Sequence, residues 1–452
     1  MGGMKQKKRK DYWYLLSLLL LTIAIAASCG GGKGEGVQPA PETGCIPDMP
    51  VSSGLFTSPP TAIGNVAGIV PLGNVDSGGH VIPVNHMYLQ FPGPYGGGSS
   101  SYPVYSMAAG RIFMLERQKK ELVPEWDYSV WIYNTCNVSS YLFHFHSLST
   151  KIQDFITTYN IPWQDLSGSG TFWIMLLGQS GAPMLNVAAG EELGIVKNYR
   201  YSWDVGVVDK RFTNGTFVNP SPNRYPGFKD SAALFPNISG DMGVYDFLGN
   251  IYLNAGCFID YMSDAGGMKT AWFDRLASTP KSCGKVGWDE HGTLQGVWFN
   301  PAIDSLGLVR DYEVAALTIV PDNLNPTTKV QIGWGNASNG VTTPSLAILD
   351  PITWSPPISG VTQIKNTFKT VMDKTIGAVV NPDPATVKNG TTVCYDLPYF
   401  VGTNNRYNYI LFRIRTDNTT MEVKYDPTEE ITPKCSTITF PPVDSTWVTY
   451  IR

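Results

Sequence analysis

The chain has 452 residues, a formal net charge of −4, 46 glycines, 33 prolines, 12% aromatic side chains and only 15% charged ones. Acidic balance without a basic run in the body argues against binding nucleic acid phosphates. Sparse charge with abundant Gly, Pro and aromatics predicts a mainly β protein of many short strands and tight turns, long enough for two domains.

In chain order, Lys5, Lys7, Lys8, Arg9 and Lys10 precede an uncharged run from Tyr12 to Ala26 that closes on small residues before Cys29. The run is shorter than the roughly 18 residues of a spanning helix and has the layout of an export signal. Residues 1–28 resemble a bacterial lipoprotein signal, with Ala26 where such signals usually carry leucine. The resemblance implies lipidation at Cys29 and anchoring to a membrane at the cell surface or in the periplasm. Residues 29–50, rich in Gly and then Pro, are expected to be a flexible tether.

Residues 51–214 read as a β module. "HMYLQF", "PVYSM", "RIFMLE", "YSVWIYNT", "SSYLFHFH", "GTFWIMLL" and "WDVGVV" are β-branched or aromatic runs punctuated by turn formers. A helix is predicted over "KIQDFITTY", with Ser149 or Thr150 as its cap. Residues 215–284 form a turn-rich connection with two expected helices, "YDFLGNIYLNAGCFIDYM" and "MKTAWFDRLAS". Residues 285–452 return to strands: "GVWF", "VAALTIV", "KVQIGW", "TVCYDLPYF", "YNYILFRIRT", "TMEVKYD" and "STWVTYIR". No repeat of fixed period marks a propeller or solenoid.

Six cysteines lie beyond Cys29: Cys45, Cys136, Cys257, Cys283, Cys394 and Cys435. An even number in an exported chain points to disulfides. Cys394 with Cys435 is the first expected pair and Cys257 with Cys283 the second. No C-x-x-C spacing suggests a zinc ribbon.

The order of short motifs over residues 65–209 carries more information than any one of them. "GGHVIPVNHMYL", "PVYSMAAGRIFMLE", "DYSVWIYN", "YLFHFHSLS", "VAAGEELGIV" and "SWDVGVVD" follow one another. This succession resembles the lysostaphin-like, or LytM-type, zinc endopeptidases that cut peptide cross-links of bacterial cell walls. The resemblance implies an antiparallel β module and a zinc held by His and Asp of the first motif and by the second His of a closing His-x-His strand. The first His of that closing pair is the family's general base, and a histidine of a Tyr-x-His-Leu segment stabilises the oxyanion.

The chemistry departs from that pattern. On the closing strand Ser202 and Asp204 stand at the histidine positions, so Ser202 takes the base's place and Asp204 offers only an oxygen ligand. In the first motif His80 and His86 are the candidate nitrogen ligands, and Asn85 is an amide where a carboxylate would bind zinc better. By position His144 corresponds to the oxyanion histidine and His146 to no family role. Alternation places Leu142, His144 and His146 on one face of a strand, with Tyr141, Phe143 and Phe145 on the other. The histidines and Asp204 then line one groove.

Ligand counting favours a scaffold without metal over a zinc centre. The leading expectation is a catalytically degenerate peptidase-like domain that binds peptidoglycan or a protein partner at the cell envelope. The rival is a zinc peptidase using an altered set such as His80, His86 and Asp204, and a third reading is a surface scaffold or adhesin. The cluster Asp289, Glu290 and His291 in "WDEHGT" reads as a polar turn. There is no H-E-x-x-H, G-x-S-x-G or P-loop motif.

Overall fold

A computed structural model describes residues 54–75, 80–93, 100–119, 126–165, 172–178, 183–198, 202–220, 224–225, 250–301, 316–334, 368–374, 381–396, 409–425, 435 and 447–452. The signal segment, the tether, Cys29 and Cys45 lie outside these residues.

The first half of the described chain builds a mainly antiparallel sheet of twelve strands. They are β1 (Gly68–Val70), β2 (Met87–Gln90), β3 (Ser101–Tyr105), β4 (Gly110–Lys119), β5 (Trp126–Tyr133), β6 (Val138–Leu148), β7 (Gln164–Asp165), β8 (Phe172–Leu176), β9 (Leu185–Val187), β10 (Glu192–Lys197), β11 (Ser202–Asp209) and, after the two-residue β12 (Gly215–Thr216), β13 (Ala255–Gly256). The main path runs β1-β2-β11-β6-β5-β4-β8-β7, while β10 bridges β3 and β6. Helix α1 (Thr150–Tyr159) follows β6 and ends at Asn160 in the left-handed conformation. Ser149 stands at its N-cap without a side-chain capping bond.

The long strands alternate between two packed faces. Leu142, Val130, Trp203, Val205 and Val207 join the large core, whereas Phe113, Trp131, Tyr141, Ile174 and Val208 form a smaller cluster on the opposite face. Burial on both sides explains why these strands read as near-continuous aromatic and β-branched runs.

The second half forms an antiparallel sheet of eight strands in the order β18-β17-β16-β15-β22-β21-β20-β19. These are β15 (Gly296–Phe299), β16 (Ala316–Pro321), β17 (Lys329–Trp334), β18 (Phe368–Asp373), β19 (Thr392–Asp396), β20 (Tyr409–Ile414), β21 (Thr420–Tyr425) and β22 (Val448–Ile451); β14 (Gly287–Trp288) pairs with β12. Val297, Phe299 and Ala316 belong to the same core as Leu142. Gln331 of β17 accepts from Val75 N at 3.0 Å, and Asn323 donates to Pro71 O at 3.0 Å. The stretch from 215 to 284 therefore joins two sheets that share buried contacts.

That stretch corrects the expectation of two full helices. The described part of "YDFLGNIYLNAGCFIDYM" holds a turn, β13 and a 3-10 turn at Phe258–Tyr261, and the second segment keeps only α2 (Met268–Phe273). Pairing of Val207 with Gly256 and the Cys257–Cys283 disulfide fix this backbone in place of local helix propensity. No helix among the described residues is long and apolar enough to cross a membrane.

Both expected disulfides are present, Cys257–Cys283 with a Cα separation of 5.7 Å and Cys394–Cys435 at 5.6 Å. Cys136 is disulfide-bonded as well.

Candidate functional site

Four neighbouring segments, β2, β11, β6 and β5, bring the site together. On β11 Trp203, Val205 and Val207 enter the main core, which turns Asp204 to the opposite face. There Asp204 sits in register with Tyr88 on one side and Phe143 on the other, and it is buried.

His144 reaches Asp204 through a fault in β6. Phe145 pairs with Tyr128 and Phe143 with Ser129, so His144 is an extra residue between two pairs, a β-bulge. Its φ is +75°, in the left-handed region that few residues other than Gly enter. The bulge corrects the expected alternation: Phe145 joins Leu142 in the large core instead of sharing a face with Phe143. His144 and His146 take different partners. His146 Nε2 lies 2.6 Å from Lys197 Nζ on β10, the ammonium donating to the ring. His146 thus ties β6 to β10.

His144 Nδ1 lies 2.9 Å from Asp127 Oδ2, and its Nε2 lies 3.0 Å from Asp204 Oδ2. On the other side of Asp204, His86 Nε2 is 3.4 Å from the same Oδ2, and His86 Nδ1 is 2.8 Å from Asn85 Oδ1. The groups form a row: Asp127, His144, Asp204, His86, Asn85. All but the half-buried His144 are buried. Tyr141 donates to Asn85 O at 3.0 Å, and burial, aided by Tyr252 and Asp204, pushes its phenol well above the ordinary value, which keeps it a donor. Gly206 makes this possible, since a Cβ there would lie 1.9 Å from the Tyr141 ring.

The row has a definite proton logic. A carboxylate oxygen and an amide oxygen only accept, so Nδ1 of both rings must donate, to Asp127 and to Asn85. Both Nε2 atoms then face one carboxylate oxygen. A proton, on Nε2 or on the carboxyl, or a cation would complete each contact. A carboxylate that fixes the far nitrogen of a histidine is also the usual support of a metal-binding imidazole.

Each Nε2 to Oδ2 separation is short enough for an ion at about 2.0–2.2 Å from both atoms. These are two-ligand pairs. Among the described residues, three-membered sets of converging ligand atoms occur at Cys257, Asp260 and Cys283 and at Cys394, Asp396 and Cys435. In both, the sulfurs are held in disulfides and offer no thiolate.

The remaining sequence candidates take supporting places. The His80 ring meets the His86 ring edge-on at 5.6 Å, and Asn85 orients His86. Ser202 opens β11 opposite Gln90, two residues from Asp204. "WDEHGT" is a turn in which Thr293 N donates to Glu290 O, His291 is exposed, and the buried Asp289 accepts from Val218 N and Val297 N.

Asp127 was not singled out by the sequence reading, and its signal is plain in retrospect. It is the one charged residue in a strand that is otherwise aromatic and aliphatic apart from Ser129, on the face that carries Trp131.

No family model, curated protein or solved structure matches this chain.

Proposed function

We propose that the chain is an exported lipoprotein, anchored through Cys29, whose first β module is a lysostaphin-like scaffold that binds peptidoglycan at the cell envelope without hydrolysing it. The observation that carries this reading is Asp204. On the strand where the resemblance places a base and a ligand histidine, a carboxylate is bracketed by His86 and His144. A zinc hydrolase needs three protein ligands, an open metal position and a base. Here the two imidazoles that would serve are engaged with the carboxylate, and Ser202 cannot act as a base at neutral pH without one beside it.

One observation favours a second reading. Both Nε2 atoms converge on one oxygen with their Nδ1 atoms committed to acceptors, which is also the tautomer a divalent cation selects. In that reading Asp204 with one of the two imidazoles would hold zinc, and zinc would supply an activated water.

Zinc content and activity separate the two. The full chain, purified in detergent, should sediment with peptidoglycan sacculi, release no soluble peptide, and bind equally after treatment with a chelator. Stoichiometric zinc that is lost in His86→Ala and Asp204→Ala, together with peptide release, would establish the hydrolase instead.

A further inference from the structure

On the other face of the same sheet, at the β7 end, stands a group that the His/Asp row does not use. The Arg117 guanidinium lies 4.5 Å from the ring centre of Trp126, 4.4 Å from Trp163 and 5.0 Å from Trp173. Lys119 Nζ lies 5.3 Å from the Trp126 ring, and Tyr128 meets Trp163 at 6.3 Å. The residues come from β4, β5, the segment before β7, and β8, where Arg117 is in register with Trp173. All three tryptophans and Arg117 are half-buried.

Packing alone accounts poorly for the arginine. A guanidinium withdrawn from water normally gains a carboxylate or carbonyl. Arg117 has no ion pair among the described residues, and its Nε is buried without a hydrogen-bond partner. Burial pushes it below its ordinary value, against the opposing influence of Tyr128. Asp165 lies one strand further out, in register with Trp173. The result is a cation set among flat aromatic faces, with no carboxylate partner among the described residues.

We propose that Arg117, Trp126, Trp163 and Trp173 bind a carboxylate-bearing sugar of an acidic glycan. A tryptophan ring is of the size of a pyranose, and half-burial holds these rings in place so that stacking a sugar on them costs little conformational entropy. The guanidinium supplies a planar fork that matches a carboxylate, and Lys119 adds a second positive charge at the rim. A membrane is a poorer occupant, because that use calls for protruding apolar side chains. Among the described residues the exposed large hydrophobics are Tyr159 and Phe212. This extends the envelope-binding reading with a second surface and a ligand class, and rests on that reading only for its setting.

The test uses the full chain in detergent, with tryptophan fluorescence followed during titration by hexagalacturonate, by its neutral methyl ester and by polyglutamate. Saturable binding of hexagalacturonate alone is expected, weakened about tenfold or more in Arg117→Gln and in Trp126→Ala, as for loss of one charge-assisted contact or one stacked ring. Arg117→Lys should recover part of the affinity, and the melting temperature of Arg117→Gln should stay at the parent value. If Trp126→Ala fails to fold, Trp126→Phe with a weakened Kd serves in its place. Absence of saturable binding, equal binding of the methyl ester or polyglutamate, or parental affinity in Arg117→Gln would overturn the proposal. Sedimentation with peptidoglycan sacculi that persists while hexagalacturonate fails to bind would remove this site and leave the envelope reading standing.

Discussion

Two buried ionic clusters, one in each sheet, show how differently the same chemistry can be used. At the end of β22 Arg452 is buried, stacks on Trp298 at 3.9 Å, and donates to Glu290 O at 3.1 Å, to Gln295 O at 2.7 Å and to Thr293 O. Asp289, the carboxylate that faces it electrostatically, accepts two backbone N–H groups. Nearly all its partners come from one stretch, residues 289–298, so the cluster staples β22 to the β14–β15 turn. The His/Asp row instead draws on four segments far apart in sequence and needs a left-handed bulge residue to close. The first arrangement satisfies most of its polar groups from nearby backbone, with Arg452 Nε the exception. The second holds strain to bring ionisable groups face to face, the pattern associated with function rather than support.

The comparison breaks most visibly if the staple is removed. Arg452→Met should cost about 3–5 kcal/mol in chemical unfolding, because Asp289 and three carbonyls lose a buried partner. The His/Asp row should be undisturbed, and peptidoglycan sedimentation of the folded fraction should equal that of the parent. A loss below about 1 kcal/mol would show that the cluster is not a staple.

On the other side, Gly206→Ala should cost about 1–3 kcal/mol through overpacking against Tyr141. Its particular signature is positional. Displacing Tyr141 removes the donor to Asn85 O, which frees the amide that orients His86. The imidazole resonances of His86 should shift in nuclear magnetic resonance spectra, while those of His291, exposed in the other cluster's turn, should not.

How much of this was legible in the sequence follows from the range of the forces involved. Strands such as Val138–Leu148 and Ser202–Asp209 are visible because side-chain alternation and β-branching are local properties. The facing of Asp204 was legible for the same reason. The bulge at His144 was not, because it is set by the register between β5 and β6, and one unpaired residue reverses every later side chain. Asp127 escaped for a related reason, since its partner lies 17 residues away across that register. The helix expected near 245–262 failed where pairing of β13 with β11 outweighs local preference. Arg117 and the three tryptophans around it sit on four separate segments and carry no motif.

A third test separates the clusters by pH. Burial raises the Asp289 carboxyl, with Arg452 and the N–H groups of Val218 and Val297 opposing the rise only in part. For a carboxylate raised on folding, the native state holds its proton over a window where the unfolded chain has lost it. The contribution is therefore complete below the ordinary aspartate value of about 4 and is lost as pH rises through the higher folded value. Stability of the parent relative to Asp289→Asn should fall across that window with at most a single-proton slope, about 1.4 kcal/mol per pH unit. A difference that rises with pH would place the dominant effect in the Arg452 attraction.

The smallest effect is the most informative about the bulge. His144→Ala and His144→Gly both remove the contacts to Asp127 and Asp204, so their difference reports on backbone alone. At an ordinary strand position glycine is the less stable of the two, by about 0.5–1 kcal/mol. At a φ of +75° the Cβ itself is the source of strain, costing about 1–2 kcal/mol. His144→Gly should then unfold at a higher urea midpoint than His144→Ala, by about 1 kcal/mol, a reversal of the usual sign. Equal midpoints, or a more stable alanine variant, would mean that residue 144 relaxes to an extended conformation once its imidazole is gone. The strain would then be imposed by the ionic contacts themselves. With the reversal, β6 is built to present a side chain at this place whatever that side chain is, and the histidine uses a geometry that the strand register already provides.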